Sequence, residues 1–120
     1  MAKQATQHPA ALKGPDGLVF AHASEAELAR ILDFYRIPWE YEPKTFPLRW
    51  GETGQPVECF TPDFYLPSQK LYLEVTTIKP RLMAKKRRKV RLLQELYPHV
   101  KIRLLQNRDI HQLMWKYGQS

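Results

Sequence analysis

The alternation of apolar and polar positions divides the chain into a short series of helices and strands. From Ser24 onward, Leu28, Ile31, Leu32 and Tyr35 recur at the spacing of a helix with one buried face. Ser24 with Glu27 three residues later forms a capping box, which predicts the helix start, and Pro38 closes the helix. Trp39, Glu40, Tyr41 and Glu42 alternate apolar and acidic, the period of a strand with one buried face. Pro43 and Pro47 suit an edge position or an irregular end. Gly51 to Gln55 carry turn chemistry, and Val57 to Phe60 predict a second strand. Pro62 interrupts it, Phe64 to Leu66 continue extended, and Pro67 to Lys70 form a turn. Leu71 to Thr77, apolar and rich in β-branched residues, form the strongest strand. A long helix follows from Pro80 to Tyr97, with proline at its first position and Pro98 just past its end. Met83, Val90, Leu93 and Tyr97 share its buried face, with Leu82 and Leu96 beside it. Val100 to Leu105 read as a strand, and Asp109 caps a short last helix to about Tyr117.

The order is α-β-β-β-α-β-α. Strand, long helix and strand from Leu71 to Leu105 make a βαβ crossover, which requires a parallel pair inside a mixed sheet. The expected fold is therefore α/β, a mixed central sheet flanked by helices. Residues 1–22 hold Pro9, Gly14, Pro15 and Gly17 with little periodicity and read as a flexible arm, with Leu18 to Phe20 docking on the body. Residues 23–120 are expected to form a single domain, as 120 residues allow. No apolar run reaches the roughly 18–20 residues of a membrane span, and the N-terminal stretch has no apolar signal core. The one cysteine, Cys59, excludes an internal disulfide and a multi-cysteine zinc site and is expected as a small buried residue. A reduced cytoplasmic setting fits.

Charge changes the picture. Nineteen Lys and Arg against twelve Asp and Glu give a net charge of +7, so a polyanion such as nucleic acid is an apt partner. The excess is concentrated. Lys79, Arg81, Lys85, Lys86, Arg87, Arg88, Lys89 and Arg91 put eight cations in thirteen residues of the long helix and its entry. A charge run is usually a solvated face, but five consecutive basic residues exceed what solubility requires. Lys85, Lys86, Arg87, Arg88, Lys89 and Arg91 are expected to contact phosphates, giving affinity without base preference.

Two carboxylates carry candidate chemistry. Asp63 follows the bend at Pro62, and Glu74 lies inside an otherwise apolar strand. Burying a lone carboxylate is costly, so Glu74 must face water, a cation or a metal. The turn between them allows Asp63 and Glu74 to be neighbours on antiparallel strands, and two like charges side by side require a cation between them. Mg²⁺ (or Mn²⁺) suits such a pair, with the carbonyl of Val75 as a further ligand, and would polarise a phosphodiester. The plainer alternative leaves Glu74 in water and Asp63 capping a turn.

These residues also carry a resemblance. Glu25 early in a helix, Ile37 to Glu42 after it, the Thr61-Pro62-Asp63-Phe64 run, Glu74 in the next strand, and Tyr97-Pro98 closing the following helix are similar to the PD-(D/E)xK nuclease superfamily. Within it the chain most resembles the phage-type Holliday-junction-resolving endonucleases, over about Ser24 to Leu105. The resemblance implies a restriction-endonuclease-like α-β-β-β-α-β core, with Asp63 and Glu74 as main metal ligands. It also implies that Glu25 sits at the metal or its water. Glu27 competes with Glu25, but the capping box occupies it and Glu25 lies at the edge of the buried stripe. The family's lysine two residues after the strand glutamate is Thr76 here. Its hydroxyl can hold a water, while the missing charge would come from Lys79 or from Lys85, Lys86 or Lys89 on the helix.

The expected function is a metal-dependent endonuclease that hydrolyses phosphodiester bonds in DNA, branched or otherwise structured, with a homodimer fitting the cutting of symmetric substrates. The alternative, favoured by Thr76, is a non-catalytic nucleic-acid-binding protein on a nuclease-like scaffold.

Overall fold

The computed structural model describes residues 18–76, 79–106, 109, 110 and 112. The expected arm as far as residue 17, Thr77, and most of the expected final helix lie outside the described residues. The chain forms two compact units, one containing helix α1 (Ala23–Phe34) and the other containing the six strands found among the described residues and helix α2 (Pro80–Leu96).

In the first unit, Ala26, Leu28, Ala29, Ile31 and Leu32 are buried on one side of α1, together with Val19 and Phe20 from the preceding segment. The expected capping box is not formed. His22 is the N-cap, no side chain caps the helix, and Ser24 lies inside the first turn. Helix N–H groups are met instead by the His22 carbonyl, which accepts from Glu25 and Ala26. The C-terminus closes with a left-handed residue, Arg36 at φ 59°. Its N–H donates to the Asp33 carbonyl and that of Ile37 to the Leu32 carbonyl, the hydrogen-bond pair of a Schellman motif. Buried Ile37 and Leu32 supply the apolar contact that accompanies it.

In the second unit, strands β1 (Glu40–Tyr41), β4 (Phe64–Leu66), β5 (Leu71–Val75) and β6 (Ile102–Leu105) form one sheet in the order β1-β4-β5-β6. β1 with β4 and β4 with β5 are antiparallel, and β5 with β6 is parallel across the α2 crossover. The α/β class and the mixed sheet are thus as expected. β1 is an edge strand, and it stops at Glu42, which adopts φ 47°. Strands β2 (Phe46–Trp50) and β3 (Pro56–Phe60) form a separate antiparallel hairpin. β2 was not expected, because Pro43 and Pro47 read as irregular chain. Pro47 is tolerated in a two-stranded ribbon, where its partnerless edge needs no N–H, and its carbonyl accepts from the Tyr97 hydroxyl at 2.9 Å.

The pleat divides β5 between two faces. Leu71, Leu73 and Val75 point one way, beside Phe64 and Leu66 of β4. Tyr72 and Glu74 point the other way, towards the side where Phe46, Leu48, Phe60, Leu93 and Ile102 form a buried cluster joined by Tyr72, Val90 and Tyr97. That cluster fastens the hairpin and α2 to the sheet, with the Phe46 ring edge-on to Tyr72 and Tyr97. Cys59, expected to be buried, is exposed, because it points away from the cluster while Phe60 enters it.

Candidate active site

Three segments meet where β4, β5 and α2 come together. The chain enters β4 through Pro62, which is buried and bends the backbone so that Asp63 stands at the mouth of the strand. The Asp63 carbonyl accepts the Glu42 N–H at 2.8 Å, which fixes its backbone. Register then places Asp63, just before β4, opposite Glu74 near the end of β5, since Phe64 pairs with Leu73.

Asp63 and Glu74 interlock. The Asp63 N–H donates to Glu74 Oε1 at 3.0 Å, and the Val75 N–H donates to Asp63 Oδ2 at 2.8 Å. Each carboxylate is therefore held by backbone of the other's segment, and both are buried at 5% exposure. Hydrogen bonds to ionised groups are the stronger kind, and they offset part of the cost of burying two negative charges side by side.

The remaining compensation comes from α2. Lys86 Nζ lies 3.0 Å from Glu74 Oε2 and donates to the Val75 carbonyl at 2.5 Å. Lys86 reaches them because it shares the inward stripe of α2 with Met83, Val90, Leu93 and Tyr97, at successive spacings of three and four. Here sequence reasoning fell short. Lys86 stood among both the expected phosphate contacts and the four candidate compensating lysines, and its spacing from Met83, Val90 and Leu93 is what singles it out as the inward-facing lysine of the run. Of the four lysines that could supply the charge missing at Thr76, Lys79 is the exposed N-cap of α2 and Lys86 is the one on Glu74.

Thr76 follows on the Glu74 side of the strand's alternation. Its N–H donates to the Leu105 carbonyl at 2.7 Å, and its side chain is buried at 5% exposure. Its hydroxyl oxygen has no hydrogen-bond partner among the described residues. A buried hydroxyl without a partner is uncommon and marks a place for a water or ligand oxygen.

Glu25 lies in the first unit, buried at 4% exposure on the stripe of α1 that carries Leu28 and Leu32. Glu27 is exposed beside a surface depression lined by Arg30, Ile31, Phe34 and Tyr35. The two glutamates are therefore separated by burial, in the direction the helical spacing indicated. Among the described residues no group of three or more His, Cys, Asp and Glu side chains is arranged as a metal site.

The rest of the basic run divides by helix face. Lys85, Arg87 and Arg91 are exposed, and Lys89 is half-buried. Arg88 departs from the phosphate-binding expectation. It donates to Glu58 of β3 at 2.7 and 3.2 Å, while Arg49 of β2 donates to the same carboxylate at 3.0 Å. The Arg88 hydrogen bonds, then that of Arg49, hold the Glu58 carboxyl down to a pKa of about 2, and Glu58 in turn raises that of Arg88.

No helix among the described residues is long and apolar enough to cross a membrane. No family model, curated protein or solved structure matches the chain, so its chemistry is read from its own residues.

Proposed function

We propose that the second unit is a metal-dependent phosphodiesterase centre acting on DNA, an endonuclease of the PD-(D/E)xK kind on a restriction-endonuclease-like core. The observation that carries this reading is the meeting of Asp63, Glu74 and Lys86, two carboxylates and an ammonium drawn from β4, β5 and α2. Lys86 supplies from the helix the charge that Thr76 lacks on the strand. The donor set fits a hard divalent cation, with carboxylate oxygens of Asp63 and Glu74 and the Val75 carbonyl as ligands and waters completing the shell. The unpartnered Thr76 hydroxyl adds a place for a water at the same strand end. Bound Mg²⁺ or Mn²⁺ would supply Lewis-acid polarisation of the phosphodiester and an acidified water. Lys86 would offset negative charge as it develops, and Thr76 would orient a water. The exposed cations Lys85, Arg87 and Arg91 would hold the backbone of the substrate. A homodimer would present two such centres to a branched substrate.

The test is cleavage of branched, duplex and single-stranded DNA in Mg²⁺ or Mn²⁺ by the wild type, Asp63→Asn and Glu74→Gln. Both variants are expected to lose more than about 100-fold in rate, beyond what an outer-sphere partner costs, with unchanged circular dichroism. Wild-type rates in both would remove the assignment.

A second reading has its own observation. Lys86 already lies on Glu74 Oε2 and the Val75 carbonyl, the groups a metal would use. If that ammonium is a permanent counter-ion, the protein binds nucleic acid without cutting it. Salt-sensitive binding with no cleavage across the same panel would select that reading.

A further inference from the structure

Trp50 is the aromatic residue that the site does not use. Every other described aromatic ring of the second unit is buried or half-buried, whereas Trp50 is 47% exposed. It ends β2 at the Gly51–Gln55 turn, opposite Pro56, with exposed Val57 on the returning strand. The ring stacks on no other ring among the described residues.

The support beneath it is rigid. Phe46, Leu48 and Phe60 anchor the hairpin in the core, and the Tyr97 hydroxyl ties down Pro47. Successive register shifts on either side of Arg49 re-aim the end of β2, as bulges do. The turn itself is closed by the Gly51 N–H on the Gln55 carbonyl, with Gly54 at φ 89°, a conformation that glycine adopts without strain. A large apolar surface on a fixed ribbon gains most by being covered.

Charge indicates what covers it. Arg49, next to Trp50, shares Glu58 with Arg88, and Arg88 sits in the middle of the basic run of α2. The strand that carries Trp50 is thus tied through Glu58 to α2, whose Lys85, Arg87 and Arg91 are exposed and whose one acidic residue is Glu95. An aromatic platform beside a cationic track is the chemistry that holds a strand with unpaired bases. We infer that the β2–β3 hairpin is a stacking platform, on which Trp50 takes an unpaired base of a nucleic acid whose backbone follows the exposed face of α2. The inference rests on the nucleic-acid reading above and extends it to substrates with single-stranded or unstacked bases.

The experiment compares full-length wild type, Trp50→Ala and Trp50→Phe by anisotropy with labelled single-stranded, gapped and fully paired DNA. Trp50→Ala is expected to weaken binding to the single-stranded and gapped DNA by about 5- to 100-fold, the value of one stacked base. Trp50→Phe should retain most of that affinity, and fully paired DNA should be bound nearly equally by all three. The salt dependence should be unchanged, since stacking releases no counterions. Tryptophan fluorescence should be quenched by single-stranded DNA in the wild type and less so in Trp50→Phe. Equal affinities of wild type and Trp50→Ala for every DNA would overturn the inference while leaving Mg²⁺-dependent cleavage, and the proposed function, intact. Loss of self-association in Trp50→Ala with unchanged DNA affinity would overturn it in favour of a protein contact. A wild type that retains none of these DNAs would overturn both.

Discussion

Lys86 and Arg88 are two residues apart on one helix, and each meets a glutamate, but the two contacts do different work. Lys86 faces inward. Its partner Glu74 is buried, locked to Asp63, and shares the ammonium with a backbone carbonyl. Arg88 faces outward. Its partner Glu58 sits on an accessible hairpin and is shared with Arg49, which is itself largely in solvent. A surface network adds modestly to stability and is screened by salt. A buried pair is costly to assemble and often contributes no more than apolar residues would. Two buried carboxylates with a half-buried ammonium at one strand end are thus poorly explained by stability alone. Buried, paired ionisable groups of this kind concentrate at functional sites, which is the ground for the proposed centre.

The contrast can be broken by substitution, and the inward face should show the larger effects. Leu93→Ala, on the same stripe as Lys86 and fully buried, should cost about 2–5 kcal/mol in denaturant unfolding. Lys86→Met should cost about 3 kcal/mol, near the low end for breaking a buried pair because Lys86 is 29% exposed. The double variant Lys86→Met with Glu74→Gln should recover part of that loss, since the Glu74 charge is removed together with its partner; a purely additive pair would argue against the coupling.

The outward face should answer to salt and acid instead. Lys85→Gln and Arg91→Gln should leave unfolding midpoints nearly unchanged. Each should reduce the slope of log K against log salt on duplex DNA by about 0.9 if that residue neutralises one phosphate. Smallest of all is the hairpin tether. The Glu58 carboxyl is depressed from 4.5 to about 2 in the folded chain. Its contribution is complete above the unfolded value and is lost as pH falls from about 4.5 through about 2. Carboxyl-carbon NMR should place its midpoint near 2 in the wild type and closer to 4.5 in Arg88→Gln.

The same two faces show what the sequence made legible. The α2 stripe, the βαβ crossover and the turn between β4 and β5 follow from periodicity and turn residues, and they are what bring Asp63 to Glu74. Local rules failed where tertiary contacts decided the outcome. Pro47 hid β2, whose anchoring Tyr97 contact lies far along the chain. Ser24 and Glu27 matched a capping box, yet the cap lies two residues earlier, at His22. Cys59 was placed by composition, whereas the hairpin's attachment through Phe60 turned it outward. Lys86 disappeared among equal charges, though its spacing belonged to the core.

The central claim is that Asp63 and Glu74 hold a divalent cation at the place now shared with Lys86. Crystals grown in Mn²⁺ test it most directly by anomalous scattering. The account predicts a peak bridging the two carboxylates, with Lys86 shifted from the Val75 carbonyl and no peak in Glu74→Gln. Saturating Mn²⁺ with no peak there, and Lys86 still closed on Glu74, would contradict it.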